Sequence, residues 1–248
     1  MGGPGGQHTE HSFAATRWTL VERLRDGDDA ARREAAETLA RIYSSAVYAW
    51  LRRQGYRRDA AADAAQAFFA DVVLGRGLFE RARPERGRLR NFMLTALDRY
   101  LVDLHRARSR EQRCLGWRLP LENAEREERF LGMCNGEPPG AVFERRWALA
   151  TVEEALRRCE RHFVRAGRQA HWRAFEARIL HPAVTGATPP PLRTLAESLN
   201  AATPAEVASM VQVVRKRLDA LLREVVAETV TGEKDRGDEY RRLATVLV

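Results

Sequence analysis

The sequence predicts an all-α protein of two helical domains joined by a flexible linker, and three observations predict it. Apolar residues recur at three- and four-residue intervals over most of the chain, as one buried helix face requires. No stretch alternates apolar and polar residues as a half-buried strand would. The helical pattern falls in two blocks, separated at 114–140 by mixed charges and by Gly-Trp, Asn-Gly and Pro-Pro pairs that interrupt regular structure. The domains are therefore expected at 12–113 and 141–231, with a tail at 232–248.

The residues up to about His11 are Gly-rich and are expected to be disordered. A short helix follows over 16–25, closed by Asp26-Gly27. The next is predicted over 30–54, with Leu39, Ile42, Tyr43, Ala46, Val47 and Trp50 as its apolar stripe and Gly55 as its stop. A third runs over 59–74, burying Ala61, Ala65, Phe68, Phe69, Val72 and Val73, and Gly75 and Gly77 end it. A basic loop, Arg81 to Arg90, leads into a helix that reaches about Arg110 and buries Leu89, Phe92, Met93, Ala96, Leu97, Tyr100, Leu101 and Leu104. After the linker, helices are predicted over 141–164 and 170–180, with a break from Pro182 to Pro191. The last two span 192–199 and 203–229. Thr203-Pro204-Ala205-Glu206 is a capping box with proline at the first helical position, so the hydroxyl takes a free backbone N–H and the glutamate reaches back.

The 248 residues carry a formal net charge of +8, mostly as arginine, and 44% are hydrophobic, enough for a real core. Arginine's planar fork suits phosphates and base edges, so nucleic acid is favoured as a partner over what a neutral chain would suggest. Three separated cysteines, Cys114, Cys134 and Cys159, form no disulfide framework and fit a reducing cytoplasm. Neither a signal peptide nor a membrane-spanning run is evident.

Three surfaces are candidates for function. The first is the helix pair at 192–225, which reads as a helix-turn-helix with its turn at Asn200 to Ala202. Val207, Val211, Val214, Leu218, Leu221 and Val225 line one face of the longer helix. Ser209 and Gln212 face outward as hydrogen-bonding groups, and Arg215, Lys216 and Arg217 are cations for phosphates. Between Thr203 and Val214 there is no Lys or Arg. The second surface is 81–113, where a crowd of arginines precedes and follows a helix that turns Asn91, Thr95, His105 and Arg106 away from its apolar stripe. The third is acidic: Asp59, Asp63, Gln66 and Asp71 make a surface suited to a basic protein.

These segments, in this order, resemble a bacterial extracytoplasmic-function sigma factor of RNA polymerase. TRWTLV resembles the opening of one group of that family, and DAAADAAQAFFADVV its region 2.2 helix. PERGRLRNFMLTALDRYLVDLHRARSR is similar to regions 2.3 and 2.4, FERRWALATVEEAL to the start of region 4, and LRTLAESLNAATPAEVASMVQVVRKRLDALLREVV to region 4.2. The resemblance implies that Asp59, Asp63, Gln66 and Asp71 dock on the clamp helices of the polymerase beta-prime subunit, and that the second domain meets the beta flap. It implies minus-ten contacts from Arg88, Arg90, Asn91, Thr95, Arg99, His105, Arg106, Arg108 and Arg110. Minus-thirty-five contacts fall to Ser209, Gln212, Arg215, Lys216 and Arg217. Promoter DNA and core RNA polymerase are thus the expected partners, with room for an anti-sigma factor or another regulator.

No catalytic set, metal site or cofactor is expected. Cys159 and His162 form a Cys-x-x-His pair with no second pair at ligand spacing. No Gly-rich phosphate loop or serine elbow occurs. Two other readings remain open at this point: a helix-turn-helix regulator that never joins polymerase, and a helical nucleic-acid enzyme such as a recombinase.

Overall fold

Helix α1 (Thr19–Asp26) stops at Gly27, whose amide donates to the Arg23 carbonyl at 3.0 Å. A Cβ at Gly27 would collide with that same oxygen, so the close turn requires glycine. The next residue, Asp28, caps α2 (Asp29–Arg53) by accepting the Ala31 amide at 2.8 Å. The computed structural model describes residues 19–75, 89–107, 124–228, 237–241 and 243, and every element among them is helical. The predicted all-α class is what forms.

Helix α3 (Arg58–Ala67) runs without interruption into a wider π-type stretch, Phe68–Gly75. Helix α4 (Leu89–Ala107) follows, then α5 (Ala124–Met133) and the long α6 (Pro139–Arg165). Helix α7 (Gln169–Phe175) passes through a second π-type stretch, Glu176–Leu180, into α8 (His181–Thr185). Pro182 does not break the chain as expected: the helical backbone runs from the π-type stretch through it into α8. The stop is Gly186 instead, in the left-handed region at φ 71°. Helices α9 (Leu192–Leu199) and α10 (Pro204–Ala227) complete the second block.

Among the described residues, two large hydrophobic cores hold most of these helices, and a smaller third cluster holds α5. The first joins the α2 stripe (Leu39, Ile42, Tyr43, Val47) to Phe68 and Phe69, to Leu89, Met93 and Leu97 of α4, and to Phe143 and Trp147 of α6. Val225 and Val226 of α10 and Leu243 enter the same core. The second gathers Cys159 and Phe163 of α6, Trp172 and Phe175 of α7, Leu195 of α9, and Val207, Val211, Val214 and Leu221 of α10. Helices α6 and α10 therefore run through both cores. The segments expected as two separate domains share one of them.

The linker expectation is corrected for residues 124–140. They form α5 and a short connection into α6, and Phe130 and Cys134 pack with Ala49 of α2 and Val142 of α6. Charge pairs fix α5 in place. Glu127 and Arg146 are both buried and form a two-pronged pair, Nη2–Oε1 at 2.6 Å and Nε–Oε2 at 2.8 Å. Glu128 receives Arg52 at 2.8 Å and the Tyr48 hydroxyl at 2.8 Å. The charge mixture that read as a linker is thus the set of partners for arginines elsewhere.

A third carboxylate, on α6, ties that helix to α2. Glu154 is fully buried and receives Arg41 Nε at 3.1 Å, Arg158 Nε at 2.9 Å and Arg157 Nη2 at 3.0 Å. Burial alone would raise its carboxyl, but the Arg158 hydrogen bond and the charges of Arg41, Arg158 and Arg157 outweigh that and hold it below the usual range. The Arg52 hydrogen bond holds the Glu128 carboxyl low as well. Groups lowered on folding stabilise the fold above their unfolded value, about 4.3, and that contribution is lost as pH falls through the folded values. The unfolding temperature is accordingly expected to hold steady from neutral pH to about pH 5 and to drop below about pH 4. A melting curve series would overturn this if acidification raised the transition.

Candidate nucleic-acid interface

The helix-turn-helix forms as the spacing predicts. Asn200 ends α9 in the left-handed region at φ 54°, a conformation its short polar side chain tolerates. Thr203 Oγ1 accepts the Glu206 amide at 3.1 Å, and Glu206 reaches back to the Ala202 amide at 2.8 Å, one residue earlier than a standard box. Val207, Met210, Val211 and Val214 are buried, which turns Ser209, Gln212, Arg215 and Lys216 outward, all exposed. Arg217 is half-buried and lies 3.5 Å from Glu224, so it is less free than its neighbours.

On α4, Met93, Leu97, Tyr100 and Leu101 face the first core, and Asn91, Thr95 and Arg99 form an exposed stripe four residues apart. The Thr95 hydroxyl donates to the Asn91 carbonyl at 2.9 Å, a back-bond within the helix. The side chains of His105 and Arg106, and Arg88, Arg108 and Arg110 entirely, lie outside the described residues.

Arg90 is a correction. It is only 2% exposed, so it does not present itself to DNA. Its guanidinium lies over the Trp147 ring at 5.3 Å from the centroid, with Glu239 at 3.2 Å and Glu144 at 3.8 Å. The signal was present in the sequence. Position 90 is three residues before Met93 and seven before Leu97, on the same helical stripe as the core residues.

Two contributors were not singled out from the sequence. Trp147 is the aromatic floor under Arg90, and Glu239 is its carboxylate, only 1% exposed. Glu239 belongs to a helical turn at 237–241 within what was read simply as a tail. The neighbouring Tyr240 donates to Asp219 of α10 at 2.5 Å, and Arg223 of α10 lies over its ring at 4.3 Å.

The acidic surface is partly open. Asp59 and Asp63 are exposed on α3, opposite buried Ala61, Ala64 and Ala65. Gln66 and Asp71 are half-buried. Among the described residues, no helix is long and apolar enough to cross a membrane.

Compared with protein-family models, with curated proteins and with solved structures, the chain matches none of them.

Proposed function

We infer that the protein is a sigma-type transcription initiation factor that joins core RNA polymerase and directs it to promoter DNA. One observation carries the reading: a capped helix-turn-helix with an outward row of Ser209, Gln212, Arg215 and Lys216, in the same chain as a second exposed polar stripe on α4 and an acidic face on α3. Two reading surfaces and a docking surface are what a factor that spans two promoter elements on polymerase needs. In this reading, 12–113 is the polymerase-docking and minus-ten part, and 141–231 is the minus-thirty-five part, which meets the beta flap. Asn91, Thr95 and Arg99 serve the minus-ten element, and α10 enters the major groove upstream.

The test is co-purification with core polymerase, followed by the same measurement on Asp63→Arg. Asp63 is exposed on α3, so the reversal leaves the fold intact and sets like charge against a basic clamp. Association is expected to weaken about tenfold or more, as loss of about 1.4 kcal/mol would give. Polymerase capture equal to that of the unaltered chain would place docking elsewhere. Specific DNA binding by the protein alone, with no polymerase capture, would favour a regulator that acts by itself.

A further inference from the structure

We propose that residues 237–241, with Leu243, are an intramolecular inhibitor, in which the Glu239 carboxylate occupies the place on Arg90 that a nucleic-acid phosphate takes when they are displaced. The proposal rests on the sigma-type reading and adds to it a latent contact and a device that governs it. Arg90 stands in the first turn of α4, next to exposed Asn91 and on the edge of the candidate minus-ten stripe. That first turn carries no acidic residue of its own, so the positive end of a long helix has no local anion from its own sequence. Glu239 supplies the nearer one from the far end of the described chain, 3.2 Å from the Arg90 Nε, and Glu144 of α6 stands farther off at 3.8 Å and stays in place when Glu239 leaves. Guanidinium binds carboxylate and phosphate in the same fork geometry, so the two compete for one partner. A helix start with an arginine beside it is also the kind of place where phosphates bind.

The same segment touches the other reading element. Tyr240 donates to Asp219, Arg223 covers its ring, and Leu243 is buried in the first core. Adjacent residues thus hold α4 and α10 at once, and release of one short segment uncovers Arg90 and frees the middle of α10 together. Trp147 remains under Arg90 after release, and keeps the guanidinium poised at the helix start instead of letting it wander.

The experiment measures binding of a fluorescein-labelled mixed-sequence DNA duplex over a salt series, with hydrogen exchange read at α4 on the same samples. The full chain is compared with Glu239→Gln and with a chain ending at Glu228. The second variant removes the segment altogether, which covers the case where Glu239→Gln fails to fold. Displacing Glu239 is expected to tighten binding about fivefold or more at low salt and to steepen the log–log salt slope by about 0.9, the increment of one added phosphate contact. Adding Arg90→Gln to the shortened chain is expected to abolish the gain. Amides at 89–95 are expected to exchange faster in both variants. Unchanged affinity and slope in folded variants would overturn the inhibitor, whatever polymerase does. If no form binds DNA or polymerase, the sigma-type reading falls. The inhibitor falls with it, because faster exchange at 89–95 without any DNA binding reports only the loss of a packing contact.

Discussion

Replacing Trp147 by alanine is expected to cost about 3–5 kcal/mol of stability, the range for emptying a buried aromatic position. Trp147 is among the largest fully buried side chains, and it sits where α2, α4 and α6 meet in the first core. Its loss opens a cavity and also strips the aromatic face from Arg90, so a buried guanidinium keeps its carboxylates but loses its packing. Urea denaturation reads the effect as a lower midpoint with an unchanged slope. A loss below about 1 kcal/mol, typical of surface changes, would mean that the indole is not packed as described.

The second large effect follows from the proposed sigma-type function and concerns how promoter recognition would be divided. In the sequence, arginines are dense on either side of α4, while α10 has no Lys or Arg before Arg215. Run-off transcription on matched promoters is therefore expected to fall about tenfold or more for Asn91→Ala and for Arg106→Ala, the scale of losing one good base contact at about 1–3 kcal/mol. Gln212→Ala is expected to lose less than about threefold, and its loss to be confined to one base position. Arg90 is held by Glu239 in this conformation, which concentrates the expectation on Asn91 and Arg106. A large loss only for Gln212→Ala would reverse the ranking and show that uncharged side chains suffice upstream.

Most of the helices were legible in the sequence because their apolar stripes and stops lie within a local window. The α2 stripe from Leu39 to Trp50 buried as read, and the Thr203 to Glu206 box capped α10 at the predicted residue. Asn200 and Gly55 ended their helices through backbone conformations that few other residues adopt easily. What escaped were properties that no local window contains. Arg90 reads as a surface cation until Glu239 and Trp147, both distant in sequence, are seen to close over it. Residues 124–140 read as a linker because their acids look solvated, yet Glu127 and Glu128 are partners for Arg146 and Arg52. Charge composition alone cannot separate an arginine that waits for phosphate from one that already has a carboxylate. The exposed acidic face on α3 was legible for a simple reason: small alanines on its other side fix which way it turns.

The passage of α6 and α10 through both cores has a consequence for how the molecule comes apart. Neither core can lose its order while these two helices remain intact in the other, because each helix supplies buried residues to both. The pieces before and after residue 140 are therefore not spare parts that can be exchanged with those of another chain. A graft at that point would leave Phe143 and Trp147 facing water on one fragment and the α2 stripe bare on the other. Change in what this surface recognises is correspondingly steered toward the outward rows of α4 and α10, residue by residue, and away from wholesale recombination.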